Sequence, residues 1–252
     1  RLKGKRNSMR NLRTAFGLLT TLPVGVPENW RPGDSGRAAF WYPVVGLAVG
    51  GLVWLAWFGL NLIFPALVAS VLTLAVWVGL TGGLHLDGLA DCCDGLLGSA
   101  SRERRLEIMK DPHLGAFGVI GLFFALMLKA AALGLMPPSS GLSIVLAATL
   151  GRWLLLPVSR LPQARPGGMG ADFAAGLQTG SIFFAAILPI GLAFLLGMQG
   201  WMAVLAALIA AAAVLGLAWK RIGGVTGDVL GALVEVTETA VLLVFTISCR
   251  AL

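Results

Sequence analysis

Charged side chains are scarce in this chain of 252 residues, and acidic ones are the scarcest. Asp and Glu number twelve and Lys and Arg nineteen, which makes 12% of the chain charged. Average soluble domains carry about a quarter charged residues, so this composition argues strongly against a soluble enzyme. The hydrophobic fraction of 57% also excludes a disordered chain. The composition therefore predicts a polytopic membrane protein.

Cysteine is rarer still. Cys92 and Cys93 are adjacent, and Cys249 lies far along the chain, so neither a metal-binding spacing nor a disulfide framework results. We expect these side chains to act as small apolar fillers in a reducing compartment. A phosphate-binding loop of the form G-x-x-x-x-G-K-[ST] is also absent, which excludes the P-loop class.

Apolar segments long enough to cross a bilayer predict an all-α, polytopic bundle of about seven transmembrane helices. Short breaks at Pro65, at 137–140 and at 199–200 are typical of tight turns between hairpin helices. Residues 12–26 could add an interfacial or re-entrant helix, and the short span near residue 150 could be partly buried. The candidate spans are 38–64, 66–86, 114–136, 141–158, 181–198, 200–218 and 229–248.

The basic residues predict the orientation of these spans. Alternating spans put the long connections 1–37, 87–113, 159–180 and 219–228 on one side of the membrane. These connections hold sixteen of the nineteen Lys and Arg residues, and the other side holds one, Arg250. This positive-inside bias predicts that the N-terminus and all the long connections face the cytoplasm.

The domain organisation is predicted to be simple. Residues 1–11 form a basic segment that we expect to be in part vector-derived, and residues 12–252 form a single transmembrane catalytic domain. The chain starts with the basic and then apolar outline of a signal peptide. Pro23 and Pro27 interrupt the apolar part, however, and no small-residue cleavage site follows, so we expect no cleavage there.

Nine of the twelve carboxylates lie in two short segments, and the first segment follows the second predicted span. On a helix, Asp87, Asp91 and Asp94 would share one face, because they are four and three residues apart. Like charges at this spacing repel one another, so we expect a divalent cation to compensate them. Mg²⁺ is a suitable ion because it prefers hard oxygen ligands. The alternative is a solvated helix face. Such faces usually mix charges, whereas this segment has no Lys or Arg from 38 to 101.

His85 is a candidate proton acceptor because it lies two residues before Asp87. His113, the other histidine, is a weaker candidate for the same role. A lone histidine near the end of a span is more often a packed residue, and this alternative remains open for both.

A segment of alternating charge follows and carries candidates for substrate binding. Arg102, Arg105 and Lys110 supply cations suited to phosphates, and Glu107 and Asp111 lie on the same stretch. The alternative is an amphipathic surface helix whose charges pair with one another.

A glycine-rich turn leads into the second acidic segment. Gly224, Thr226 and Gly227 predict a helix start that could offer N–H groups to a phosphate. Asp228 and Glu235 are seven residues apart and would share a helix face.

Glu238 follows one turn beyond Glu235, and both lie inside an apolar run. Carboxylates in such a run are costly and usually functional. We therefore expect Asp228, Glu235 and Glu238 to hold a second metal or to orient a substrate. The alternative for the two glutamates is an internal ion pair with Lys129 or Arg152.

Several of these stretches resemble the cobalamin synthase family, whose members are called adenosylcobinamide-GDP ribazoletransferases or cobalamin-5′-phosphate synthases. The likeness runs from about residue 12 onward. Asp111-Pro112 and the Cys92-Cys93 pair differ from the commoner family residues without removing a candidate ligand. The similar segments are 81–95, 105–111 with 115–118, 223–232 with Glu235 and Glu238, and, near the N-terminus, 20–23 and 42–46.

The resemblance implies an integral membrane transferase that needs Mg²⁺ and acts in corrinoid nucleotide-loop assembly. Such enzymes join adenosylcobinamide-GDP to α-ribazole or its 5′-phosphate, release GMP, and form adenosylcobalamin or its 5′-phosphate. Asp87, Asp91 and Asp94 would hold Mg²⁺ against the pyrophosphate. A carboxylate or His85 would take the proton of a ribose 5′-hydroxyl. Beyond substrates and membrane lipid, the expected partners are a second copy or other corrinoid-assembly enzymes, and no nucleic acid.

Two other functions are compatible with the residues. A CDP-alcohol phosphotransferase also uses spaced aspartates at a cytoplasmic membrane surface, but its D-G-x-x-A-R run is absent because Cys92 follows Asp91. A cation-coupled transporter would use Glu235, Glu238 and Lys129 as an intramembrane pathway. No inverted repeat supports it, and the acidic residues crowd one surface.

Overall fold

The computed structural model describes residues 2–25, 30–165, 167 and 169–247, and they form a helical bundle. Thirteen α-helices run through these described residues, and two short 3-10 helices cover Ala39–Trp41 and Pro138–Ser140. The α-helices are α1 (Leu2–Leu19), α2 (Asp34–Ala38), α3 (Tyr42–Asn61), α4 (Ala66–Thr81), α5 (Leu84–Leu97), α6 (Arg102–Ile108), α7 (Ala116–Leu135), α8 (Leu142–Val158), α9 (Met169–Gly176), α10 (Thr179–Ala185), α11 (Ile187–Leu195), α12 (Gly197–Ile222) and α13 (Gly227–Val244).

Helices lie at all seven predicted spans, which confirms the polytopic all-α class. Within the described residues, four helical segments are long and apolar enough to cross a membrane, namely those that contain α3, α7, α8 and α12. The bent pair of α4 and α5 makes a fifth if it counts as one span. The total of seven therefore stays a prediction.

The second predicted span ends earlier than expected. The apolar run predicts one helix over 66–86, but α4 ends at Thr81 because Gly82 and Gly83 adopt left-handed conformations, with φ of 64° and 71°. Glycine tolerates these values because it lacks a Cβ. The chain turns by 94° there, and α5 begins as a separate helix that packs against α13.

The fifth predicted span, 181–198, is not one helix either. It is divided between α10 and α11, with the break at Ala186. Pro189 explains the break because it has no N–H to donate to the carbonyl group of Ala185, so α10 cannot continue through it.

The centre of the bundle is formed by α8 and α13. In the apolar stretch that contains α8, 83% of the residues are buried inside the protein, against 22% in α12. This confirms the expectation that the span over 141–158 is partly buried. In contrast, α7 and α12 expose large apolar side chains such as Phe123, Phe124 and Leu205. Surfaces of this kind contact lipid, whereas a soluble monomer rarely exposes them over a wide area.

Two glycines allow α5 and α13 to cross in close contact. A Cβ atom on Gly88 would lie 2.8 Å from the carbonyl oxygen of Asp228 and 3.1 Å from the Cα atom of Gly231. Small residues at such crossings allow helix backbones to approach closely within a membrane. The crossing brings the acidic face of α5 to the start of α13.

We predict that Gly88→Ala destabilises the protein by about 1–3 kcal/mol, because the new methyl group must displace α13. The matched control is Gly79→Ala in α4, where a Cβ atom would meet nothing within 4 Å. The measurement is the thermal unfolding midpoint of each purified variant in detergent. Equal midpoints for the two variants would contradict a tight crossing.

Candidate functional site

A cavity of about 890 Å³, which we call the central cavity, lies where α1, α2, α5, α9 and α13 meet. Its wall is largely apolar and includes Leu18 and Phe173. Asp87, Asp228 and His85 contribute polar groups to the same wall. A large apolar pocket with a few convergent polar groups is the usual form of a ligand site.

The two acidic segments meet at this cavity. Asp87 comes from α5 and Asp228 from α13, and both line it. Asp91, one turn along α5, experiences the negative charges of Asp228, Asp87 and Asp94, which the positive charge of Arg165 opposes. The fold therefore creates a local excess of negative charge that a cation or a proton can relieve.

Arg165 is a site residue that the sequence did not indicate. Its guanidinium group donates to a carboxylate oxygen of Asp228 at 2.7 Å, and the Thr226 hydroxyl donates to the same oxygen at 3.2 Å. The connection that carries Arg165 is held beside α13 by backbone hydrogen bonds between Ala164 and Val225 and between Val225 and Pro162, both 2.9 Å long. The pairing depends on that contact, so nothing in the local sequence reveals it.

His85 is buried in the wall of the central cavity, with 4% of its surface exposed. Neither ring nitrogen has a hydrogen-bond partner among the described residues. Buried polar atoms without a partner are rare, but both nitrogens have almost no exposed surface, so a ligand would reach them only if the wall rearranged. The role of proton acceptor stays a prediction.

Asp94 has a structural partner instead of facing the cavity. Its two carboxylate oxygens accept hydrogen bonds from the backbone N–H groups of Gly115 and Gly118, both at 2.8 Å, and so cap the start of α7. A Cβ atom on either glycine would collide with this carboxylate. The metal-ligand role of Asp94 stays a prediction that this geometry does not favour.

Glu235 and Glu238 form a buried ion-pair network with Lys129 and Arg152. The Lys129 ammonium group donates to Glu235 at 2.6 Å and also to Glu238, and the Arg152 guanidinium group donates to Glu238. All four side chains are at most 7% exposed. This arrangement matches the ion-pair alternative for the two glutamates, because two cations already neutralise the two carboxylates.

Both arginines that were predicted to bind phosphate donate to backbone carbonyl groups instead. The Arg102 guanidinium group donates to the carbonyl oxygens of Ile222, at 2.8 Å, and of Ala164, at 3.2 Å. Arg105 is 3% exposed and donates to the carbonyl oxygens of Gly95 and Leu96 at the end of α5, at 2.8 and 3.0 Å. Cations near a helix C-terminus are stabilising.

The other candidates on the charged stretch are exposed and lie apart from the described lining of the central cavity. Glu107 pairs with Arg104 at 2.9 Å, as the surface-helix alternative predicts. Asp111 contacts His113 at 2.6 Å, and this hydrogen bond lowers the pKa of the Asp111 carboxyl group. Lys110 is exposed beside them. Their substrate-binding roles stay predictions.

The predicted glycine-rich turn is a helix cap. The Thr226 hydroxyl accepts from the backbone N–H of Val229 at 3.3 Å and begins α13. Gly224 packs against the carbonyl oxygen of Pro162, where a Cβ atom would collide. Gly227 lines the central cavity, so it is the member of the turn that is placed to meet a ligand.

The central cavity offers few protein ligands for a metal ion, so a metal there would need further ligands from the substrate. Within the described residues, no group of three or more His, Cys, Asp or Glu side chains is arranged to hold a metal ion. Asp87 and Asp228 still offer carboxylate oxygens to the same cavity. Mg²⁺ is usually held by one or two carboxylates together with substrate phosphates, so this donor set fits it.

The bundle and its cavity define a polytopic helical membrane protein with carboxylates in the wall of a large cavity. The chain belongs to the Cobalamin-5-phosphate synthase family, whose model matches residues 11–246. The predicted family is thus confirmed.

Curated relatives are named adenosylcobinamide-GDP ribazoletransferase. The protein of Stutzerimonas stutzeri (strain A1501) is 42% identical over 243 residues, which are 93% of this chain and 97% of that protein. The protein of Roseiflexus sp. (strain RS-1) is 37% identical over 237 residues, which are 93% of this chain and 88% of that protein. No solved structure matches the chain significantly.

We predict that Lys129→Met lowers the stability of the protein by about 3–5 kcal/mol, because it leaves buried negative charge without compensation. The double variant Lys129→Met/Glu235→Gln removes one of the two carboxylate charges and should recover part of the loss. Unfolding in a denaturing-detergent titration measures both. A single variant as stable as the parent would show that the network is not an ion pair.

We predict that Asp94→Ala destabilises the protein by about 1 kcal/mol, because two N–H groups at the start of α7 lose their acceptor. Asp94→Asn keeps one acceptor oxygen and should lose less. Thermal unfolding in EDTA measures this effect without any contribution from a metal. If Asp94→Ala differed from the parent only when Mg²⁺ was added, a ligand role would replace the capping role.

Proposed function

We propose that this protein transfers the adenosylcobinamide-phosphate group of adenosylcobinamide-GDP to α-ribazole, or to its 5′-phosphate, and releases GMP. Membership of the family and the names of its relatives support this reaction. The observation in the fold that carries it is the central cavity, where Asp87, Asp228 and His85 face a largely apolar space of about 890 Å³. A largely apolar space with a few convergent polar groups suits a ligand that has both apolar and charged parts.

The nucleophile in this reaction is a ribose hydroxyl group, and the electrophile is a phosphorus atom of the pyrophosphate. An acceptor that carries a 5′-phosphate has no free 5′-hydroxyl. We therefore assign the nucleophile to a ribose hydroxyl that both acceptors share. The bond between this oxygen and phosphorus forms as the bond to the GMP oxygen breaks.

Asp87 and Asp228, with Asp91 close by, are the residues that we propose for Mg²⁺. When bound, the ion neutralises charge on the pyrophosphate and on the departing GMP. Arg165 restrains the carboxylate of Asp228 through the hydrogen bond between them.

His85 is proposed to accept the proton of the attacking hydroxyl group at a ring nitrogen, since both nitrogens lack other partners in the described part of the chain. A carboxylate on the cavity wall is the alternative acceptor. An apolar wall offers few hydrogen-bond partners to water, which disfavours water as a competing nucleophile.

We also propose that the central cavity faces the cytoplasm of a bacterial cell from the inner membrane. The excess of Lys and Arg in the connections that adjoin it supports this orientation, with sixteen basic residues against one on the opposite side.

The test supplies purified protein with adenosylcobinamide-GDP and α-ribazole and measures GMP by chromatography. We predict that Asp87→Asn lowers the rate at least about 100-fold, because electrostatic stabilisation of the transferred group is lost. EDTA should abolish GMP release and Mg²⁺ should restore it. The matched control is Glu103→Gln, which removes an exposed carboxylate on α6 and should keep the parental rate.

Parental activity of Asp87→Asn would refute the assignment of the site while leaving the reaction intact. Absence of GMP from the parent protein under all conditions would refute the reaction itself. CDP-diacylglycerol, supplied as a competing donor, should neither react nor inhibit. Turnover of it would instead support the CDP-alcohol phosphotransferase alternative.

A further inference from the structure

A second cavity, of about 900 Å³, lies beside the central one and has the opposite charge. We call it the basic cavity. Three arginines line it, Arg10, Arg31 and Arg37, together with one carboxylate, Asp34. Three guanidinium groups and one carboxylate leave two positive charges in its described lining. Neither this cavity nor its arginines has a role in the reaction proposed above.

The basic cavity and the central cavity share a wall. Residues 30–37 form this wall, in which Trp30 and Ser35 line the central cavity while Arg31 and Arg37 line the basic one. Pro32 lines both cavities. The two sites are therefore adjacent and chemically distinct.

The wall is held rigidly from the basic side by Asp34. Its carboxylate accepts hydrogen bonds from the guanidinium groups of Arg10 and Arg37, both at 2.6 Å, and from the backbone N–H of Arg31 at 2.9 Å. The carboxylate is 7% exposed. These contacts fix the positions of the arginines before any ligand arrives, which lowers the entropic cost of binding.

The wall is held from the central side by Asp172 of α9. This carboxylate accepts hydrogen bonds from the Ser35 hydroxyl, at 2.6 Å, and from the backbone N–H of Gly33. Gly36 and Gly176 let α2 and α9 touch, since a Cβ atom on either would collide with the facing backbone. Both carboxylates lie outside the two acidic segments and serve this wall.

The rim of the basic cavity lies where apolar helices begin. Phe40 and Phe184 line the cavity and are 38% and 68% exposed. Phe40 lies just before α3 and follows the connection 1–37, and Phe184 lies in α10, which begins at the end of the connection 159–180. The distribution of basic residues predicts both connections to be cytoplasmic. Exposed aromatic side chains together with arginines are typical of the headgroup level of a membrane.

We propose that the basic cavity binds a phosphate ester at the membrane surface. Arginine suits this chemistry because its planar guanidinium group can donate two parallel hydrogen bonds to phosphate oxygens. The ester is supplied by the headgroup of an anionic phospholipid or by a soluble nucleotide. This proposal does not rest on the transfer reaction, and its test measures binding separately from GMP release.

The experiment measures the binding of short-chain phosphatidylglycerol, of phosphatidylcholine and of GMP to full-length protein in neutral detergent at low salt, by calorimetry. The key variant is Arg31→Gln. Residue 31 donates to Asp34 through its backbone N–H, so Arg31→Gln keeps this hydrogen bond. Arg104→Gln is the matched control, because Arg104 is an exposed arginine on α6 that pairs with Glu107.

We expect Arg31→Gln to weaken binding about tenfold, through loss of one charge-assisted hydrogen bond, and Arg104→Gln to leave binding unchanged. Arg31-dependent binding of phosphatidylglycerol, stronger than that of phosphatidylcholine, supports the lipid source. Arg31-dependent binding of GMP supports the nucleotide source. The proposal is overturned if neither phosphatidylglycerol nor GMP binds. It is also overturned if both variants weaken binding equally or if neither variant weakens it. GMP release by the same preparation shows whether the proposed function holds independently.

Discussion

The bundle depends on the neutralisation of charge inside α13. This helix crosses the centre of the protein with two buried carboxylates, Glu235 and Glu238, which would be very costly to bury alone. Lys129 on α7 and Arg152 on α8 supply the compensating charges, and these three helices must therefore pack in one register. The same packing also fixes the position of the first turn of α13, and therefore the place where Asp228 lies beside α5.

Charge is so scarce in this protein that most described carboxylates outside α6 and its flanks have an identifiable task. Asp34 and Asp172 clamp the wall between the two cavities, and Asp94 caps α7. Asp87, Asp91 and Asp228 remain at or beside the central cavity. The carboxylates at the site are thus those that the fold does not use elsewhere.

The arginines divide in a similar way. Arg102 and Arg105 hold the carbonyl ends of helices, and Arg152 is an internal counter-ion, so these cations serve the architecture. Arg165 meets Asp228 at the central cavity, and Arg31 lines the basic cavity. The fold therefore decides which of these cations hold the architecture and which lie at a cavity.

The helical membrane class, the approximate helix positions and the shared face of Asp87 and Asp91 could be predicted from composition, apolar length and helical spacing, which are local properties. The family could be predicted from the resemblance of several sequence motifs. The tertiary structure decided which acidic residues reach a cavity, because Asp94, Glu235 and Glu238 meet partners more than twenty residues away. It also decided the pairing of Arg165 with Asp228 and the existence of the basic cavity, since both depend on contacts between distant segments.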